Sequence, residues 1–137
     1  MQNRFRFKVY YKPHNKVYNV ICLNCGRQKE IIIEYNGSTA LVGWENCVIL
    51  QSTGLRDRDG KLIYEGDIIE FTDNVTINGS KTHVAKVEHN KEFNAYMYHA
   101  EYMGWYTINP SQNKRFKVKV IGNVYENPEL LEVENER

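Results

Sequence analysis

Two cysteines with CxxC spacing are the first residues in this sequence whose types and spacing could do chemistry. Cys22 and Cys25 are separated by two residues, and two thiolates at this spacing form half of a tetrahedral zinc site. No second CxxC motif follows, so Cys47 and a histidine would have to complete the ligand set. The candidate histidines are His14, His83, His89 and His99. A redox pair is disfavoured because the thioredoxin-like βαβ context is missing, and a coincidental pair in a loop remains the simpler interpretation.

Acids and glycines concentrate in a turn-rich segment, residues 51–71. Its carboxylates could surround a hard cation such as calcium or magnesium, but the ligand spacing of an EF-hand is absent. We favour a structural corner, in which Thr53 or Asp57 bonds to backbone amides. The residues assigned to this turn motif are Gly54, Asp57, Asp59, Gly60, Glu65, Gly66 and Asp67.

Cations alternate with apolar residues in two further segments, near the start and near the end of the chain. Alternation with a period of two places the cations on one face of a strand, and small β-barrels bind nucleic acids through such charges together with aromatic stacking. Lysines on a strand also protect a sheet edge, and aromatic residues also fill cores. The candidate surface for nucleic acid or for a protein partner comprises Arg4, Arg6, Lys8, Arg115, Lys117, Lys119, Tyr98 and Trp105.

The charges are unevenly distributed although the net charge is only +1. Seven cations precede the first acid, Glu30, whereas acids dominate from Glu126 onward. A basic head and an acidic tail attract one another within a chain or between copies. We therefore expect a homo-oligomer, with a host or phage protein as a further possible partner.

Catalysis is not indicated, because no histidine stands in a motif with a serine or cysteine nucleophile. We expect a protein that is not an enzyme and needs no cofactor. No apolar run approaches the roughly 20 residues of a membrane helix, the start of the chain does not resemble a secretory signal, and the cysteine count of 3 is odd. These features predict a cytoplasmic protein without a membrane contact.

The elements that must position these residues are short β-strands. Phe5, Phe7 and Val9 mark the first strand, and Pro13 and Asn15 mark the turn of a hairpin. Three consecutive isoleucines before Asn36-Gly37 predict a second hairpin. Further strands are predicted at 47–50, 62–64, 68–71, 82–88, 93–99, 105–108 and 115–120, and a short helix at 127–132.

Eight or so short strands predict a mainly β fold: a small antiparallel barrel, SH3-like or sandwich-like, with a short C-terminal helix. A meander of antiparallel strands is the most economical connection. We expect one domain over residues 1–126, with N-terminal hairpins at 1–45 and a central core at 46–126, followed by a short helix and acidic tail at 127–137.

Two separated segments resemble the YopX family of phage and prophage proteins. The first hallmark segment comprises residues 51–55, 57–60 and 63–69, and the second hallmark segment comprises residues 120–130. The opening residues 4–6 are similar to the usual start of the family, so the resemblance spans nearly the whole chain. It implies a mainly β fold with SH3-like barrel character and a phage-associated role in the host cell, and it supplies no catalytic residue.

Overall fold

The computed structural model of the protein describes residues 6–23, 29–73, 81–100 and 104–135. These residues form twelve strands in three antiparallel sheets, together with two short α-helices. The mainly β fold predicted from the sequence is confirmed. In the described part of the chain no sheet closes on itself, since every sheet has two terminal strands.

A six-stranded sheet contains the first half of the chain, in the strand order β4-β3-β2-β1-β5-β6. Its strands are β1 Phe7–Tyr11, β2 Lys16–Leu23, β3 Glu30–Tyr35, β4 Ser38–Gly43, β5 Cys47–Arg56 and β6 Leu62–Tyr64. Both predicted hairpins, β1–β2 and β3–β4, are present. The two-residue turn Asn36–Gly37 joins β3 to β4, as this dipeptide predicts.

The long strand β5 departs from the predicted meander. It pairs with β1 and not with β4, and its residue Ile49 lies directly opposite Val9. A 3-10 turn, Trp44–Asn46, precedes β5 and leaves β4 at the edge of the sheet. Pairing with β1 lets Ile49 pack against the apolar cluster that contains the buried Val9, and burial of this apolar surface stabilises the pairing.

Two three-stranded sheets contain the second half, in the orders β12-β7-β8 and β11-β10-β9. Their strands are β7 Asp67–Asp73, β8 Lys81–Lys86, β9 Glu88–Asn90, β10 Ala95–Ala100, β11 Gly104–Thr107 and β12 Lys119–Asn123. The helices are α1 Pro110–Arg115 and α2 Glu129–Asn135. Helix α2 confirms the predicted C-terminal helix.

Buried apolar residues form two clusters. The smaller cluster covers one face of the N-terminal hairpins and contains Val9, Ile31, Ile33 and Val42. The larger cluster joins β6, β7 and β8 to the C-terminal half and contains Ile63, Ile69, Phe71, Ala85, Val87, Tyr98, Ile108, Phe116, Val118 and Val120. Strand β5 contributes to both, because Ile49 packs on the smaller cluster and Leu55 on the larger one.

The predicted strand at 115–120 is wrong over residues 115–118, because β12 begins only at Lys119. Residues 110–115 form α1, whose N-cap Asn109 accepts a hydrogen bond from the backbone N–H of Gln112 at 2.8 Å. Pro110 stands in the first turn of this helix, where its missing N–H costs nothing. The cap and the proline start a helix that the alternating pattern alone does not reveal.

In the described residues, none of the helices is long and apolar enough to cross a membrane.

Candidate functional sites

The carboxylate of Asp57 joins two distant parts of the chain. Its Oδ1 accepts hydrogen bonds from the backbone N–H groups of Asp59 and Lys61, each at 2.9 Å, and its Oδ2 accepts one from Val120 N–H at 2.9 Å. Asp57 is buried, so these donors replace the water that the carboxylate loses on folding. The residue thus closes its own turn and ties that turn to β12.

Asp67 is equally buried but has fewer donors. Its Oδ2 accepts one hydrogen bond, from Tyr64 N–H at 2.8 Å. Desolvation raises the pKa of Asp67 to about 6, although the Tyr64 N–H bond and the nearby Lys8 oppose the shift. Burial likewise lowers the pKa of Lys8, against the attraction of Asp67. The Nζ of Lys8 lies 4.6 Å from the centre of the Tyr64 ring.

Asp67 and Lys8 line a polar cleft of about 600 Å³ between the N-terminal hairpins and the segment that follows β12. Charges of both signs face it, namely Lys8, Lys16, Lys61, Glu34, Asp67 and Glu126. With three lysines and three acids the cleft has no dominant charge, so its electrostatics select neither an anionic nor a cationic ligand.

The acids of the turn-rich segment accept hydrogen bonds largely from backbone N–H groups of the same segment. Besides Asp57 and Asp67, Glu65 accepts a hydrogen bond from Gln51 N–H at 2.8 Å through Oε1. Thr53 Oγ1 donates to the carbonyl of Ile63 at 2.8 Å and accepts from Leu55 N–H at 3.2 Å. Within residues 6–23, 29–73, 81–100 and 104–135, no three histidine, cysteine or acidic side chains come together to hold a metal.

A second cleft, of about 430 Å³, lies where the end of β5 meets α1. Four cations line it, Arg56, Arg58, Lys114 and Lys117, against one acid, Asp57. We call this the basic cleft.

The family relationship of the chain is decided by a match over nearly its whole length. The profile of the family described as YopX protein matches residues 5–132. The chain belongs to this YopX family. The two hallmark segments meet in the fold, where the backbone N–H of Val120 donates to Asp57 Oδ2 at 2.9 Å.

Two solved structures resemble this YopX-family chain over nearly all of their length. Protein EF1440 from Enterococcus faecalis is 24% identical, with a TM-score of 0.61, and the match covers 92% of this chain and 96% of that protein. Protein yopX from Bacillus subtilis is 17% identical, with a TM-score of 0.61, and the match covers 93% of this chain and 96% of that protein. At these identities the likeness establishes the fold alone. Comparison with curated proteins finds no match.

The predicted basic face of residues 115–120 does not exist in the YopX-family chain. Arg115 ends α1, and Lys117 occupies a left-handed turn with a φ of 52°. Lys119 begins β12, opposite Glu70 of β7, so an acid of the neighbouring strand faces it. Because α1 ends at Arg115 and β12 begins at Lys119, these three cations do not share one strand face. Of the three, Lys117 alone lines the basic cleft.

Tyr98 does not belong to a partner surface, so its prediction as a stacking residue is wrong. Its side chain is fully buried, with ring centres 4.9 Å from Phe71 and 5.7 Å from Tyr106. Burial also raises the pKa of the Tyr98 hydroxyl. Trp105, by contrast, is 43% exposed and packs edge-on against His99.

Of the remaining predicted residues, the structure describes Arg6, Lys8 and Cys22, which lie in or beside β1 and β2. Arg6 is exposed, whereas Lys8 turns towards Asp67 and is only partly accessible. Arg4 and Cys25 lie outside the described residues, so the zinc half-site stays a prediction. Cys22 is exposed on β2, and burial raises the pKa of Cys47 on β5.

Sequence reasoning missed three members of the basic cleft, namely Arg56, Arg58 and Lys114. A signal was available, because Arg56 and Arg58 flank Asp57 in the turn-rich segment, residues 51–71. Lys114 carried none, because it approaches the arginines only once α1 has formed.

Proposed function

We propose that this protein acts without catalysis, by binding other macromolecules, as an accessory protein of a phage or prophage in the host cytoplasm. Its first partner is a second copy of the same chain. Membership of the YopX family supports the phage association, and one feature of the six-stranded sheet supports the self-association.

That feature is the open edge of the sheet at β4. The strand reads Ser-Thr-Ala-Leu-Val-Gly from Ser38 to Gly43, with no charged residue and no proline. Edge strands of monomeric proteins are normally protected by charges, prolines or bulges, since their unpaired backbone groups recruit further strands. In the described residues β4 has a neighbour on one side only.

The outer face of the sheet near this edge carries two exposed apolar side chains, Leu41 and Ile21. Leu41 is 62% exposed and lies directly opposite Ile32 of β3. Ile21 of β2 is 56% exposed. The opposite face of the same strands packs on the smaller cluster, so Leu41 has no role in the core of its own chain.

A second copy fits this edge by symmetry. Antiparallel pairing of β4 with itself forms an isologous contact, in which each protomer offers the same uncharged strand. The contact brings no like charges of the strand together and covers Leu41 of both protomers. A different protein would need an unpaired strand of its own.

One acid of the tail, Glu126, forms a hydrogen bond within its own chain to the backbone of the basic head. Glu126 Oε2 accepts a hydrogen bond from the Val17 backbone N–H at 3.0 Å. Since this acid already has a partner within its own chain, we expect self-association through the edge of the sheet and not through opposite charges. Such association should depend weakly on salt.

The test is sedimentation equilibrium over a micromolar concentration series. We expect the wild type to self-associate and Leu41→Lys to be monomeric, because an edge lysine must be desolvated on pairing. Phe93→Lys is the matched control, since Phe93 is 63% exposed and lies in a turn between β9 and β10. A monomeric wild type, or equal association of both variants, contradicts self-association through β4.

A further inference from the structure

The basic cleft joins residues from two distant segments of the chain. Arg56 and Arg58 come from the end of β5 and the turn after it, whereas Lys114 and Lys117 come from the end of α1 and the turn before β12. Leu55 and Pro110 supply apolar walls. Because the two segments lie about 60 residues apart in the sequence, folding alone creates this concentration of positive charge.

Backbone hydrogen bonds hold the two segments together. Arg58 N–H donates to the carbonyl of Val118 at 2.8 Å, and Val118 N–H donates to the carbonyl of Asn113 at 3.0 Å. Asn113 Nδ2 donates to the carbonyl of Arg56 at 3.3 Å. The two backbone segments that carry the cations are therefore held together before any ligand binds, which lowers the entropy cost of binding.

The four cations of the cleft are not held in ion pairs by the part of the chain that the structure describes. None of the four cations forms an ion pair with a described acid, and Arg56 instead donates to the carbonyl of Gly60 at 2.8 Å. The carboxylate of Asp57 is occupied by its three backbone donors. An anion that enters the cleft thus meets arginine and lysine groups that are free to bind it.

A buried acceptor lies beside these cations. Asn113 is 4% exposed, and its Oδ1 has no hydrogen-bond partner in the described part of the protein. A buried polar atom without a partner costs free energy. A ligand that carries a hydroxyl or amino donor next to its anionic group would satisfy this atom, which a simple carboxylate or sulfate would not.

We propose that the basic cleft binds the backbone of a single-stranded nucleic acid, with phosphates on the four cations and a sugar or base donor on Asn113. Arginine and lysine together bind phosphate in this way. The apolar walls of Leu55 and Pro110 suit the face of a sugar or base. A single strand exposes its base edges and donors, whereas a duplex pairs most of them internally. This proposal is independent of the pairing through β4.

The experiment measures binding of fluorescent single-stranded and duplex oligonucleotides by anisotropy, from about 50 mM to about 200 mM salt. The cleft variant is Arg58→Gln with Lys117→Gln, because both side chains are exposed and their loss should leave the fold intact. The matched control is Lys12→Gln with Lys91→Gln, which removes the same charge from exposed positions outside the cleft.

We expect the wild type to bind the single strand more tightly than the duplex, with a salt slope of about −3 for four phosphate contacts. The cleft variant should lose affinity about tenfold or more at low salt, and its slope should shrink by about one to two. The control variant should stay within about twofold of the wild type.

Absence of wild-type binding at low salt overturns the proposal. Tighter binding of the duplex, or equal losses in the cleft and control variants, overturns it as well, because affinity would then follow duplex shape or overall charge. Thermal melting of each variant shows that a loss of binding is not a loss of folding.

Discussion

At the scale of single residues, two buried aspartates of the same hallmark segment have different environments. Asp57 accepts three backbone hydrogen bonds, whereas Asp67 accepts one. Burial raises the pKa of Asp67 from its ordinary 3.8 to about 6. The sequence identifies both as turn residues, but the number of donors that reach each carboxylate depends on which strands pass beside it.

Asp67 should make stability fall as the pH rises. Because its pKa is higher in the folded state, the folded protein binds the extra proton, and the stability that Asp67 contributes is complete below about pH 4 and lost as the pH rises through about 6. Asp67→Asn should remove this pH dependence, which amounts to at most about 3 kcal/mol in the free energy of unfolding. Urea unfolding at a series of pH values measures the difference.

The neighbouring charges of Asp67 are Lys8, Lys61 and Asp57, and the substitution leaves all three in place. Asp59→Asn serves as the control, since this acid belongs to the same segment and is exposed. Asp59→Asn should leave the curve between pH 4 and pH 6 close to that of the wild type. Parallel wild-type and Asp67→Asn curves across this window would refute the prediction.

At the scale of elements, two glycine turns should differ in their tolerance of a side chain. Gly60 and Gly66 both have a φ of +84°, but a Cβ at Gly60 would meet nothing within 4 Å, whereas one at Gly66 would lie 3.2 Å from Tyr125 Cε2. Gly60→Val should cost about 1 kcal/mol through backbone strain alone. Gly66→Val should cost more, because it also crowds the ring.

Chemical denaturation of the two glycine variants gives this comparison directly, and Gly60→Val is the control for backbone strain. Equal losses at the two positions would mean that the Tyr125 ring moves aside freely. A melting temperature unchanged in both variants would contradict the assignment of these turns as structural corners.

Elements also show where sequence patterns mislead. The alternation of cations and apolar residues at 115–120 predicts a strand, yet the N-cap at Asn109 and the proline after it start a helix that ends at Arg115. Both helix signals precede the alternating segment and were readable in the sequence. Alternation over a few residues is weaker evidence than a satisfied cap, because a cap bonds backbone groups that would otherwise lack partners.

At the scale of the whole molecule, the second hallmark segment packs on the N-terminal hairpin. The rings of Tyr10 and Tyr125 stack with centres 4.6 Å apart, and Glu126 accepts the Val17 backbone N–H nearby. The segment after β12 therefore fastens β1 and β2 to the larger half of the protein.

A double-mutant cycle should detect this contact. Tyr10→Leu, Tyr125→Leu and the double variant should reveal a coupling of about 0.5 to 1.5 kcal/mol in the free energy of unfolding. The cycle cancels the separate loss of the hydrogen bond from the Tyr10 hydroxyl to Asn15. The control pair is Tyr10, in β1, and Phe93, in the turn between β9 and β10. Substitutions at these two positions should give additive losses of stability. Additive losses for Tyr10 and Tyr125 would show that the stacking stabilises nothing.

The sequence by itself determined the mainly β class, both N-terminal hairpins, the C-terminal helix and the family. These follow from local causes: the period of apolar residues, turn dipeptides such as Asn36-Gly37, and the residues around a helix start. Local signals also indicated that residues 51–71 form turns, since glycine and aspartate have that preference in any fold.

Only the tertiary structure decided which of these residues meet. The pairing of β5 with β1 leaves β4 at an open edge, the Asp57–Val120 bond joins the two hallmark segments, and α1 brings Lys114 and Lys117 to Arg56 and Arg58. Such contacts join residues far apart in the chain, and they form because burial of both apolar clusters offsets the entropy of closing the long loops between them. The CxxC cysteines and the basic head are local motifs that the sequence shows directly, whereas the basic cleft exists only where distant segments converge.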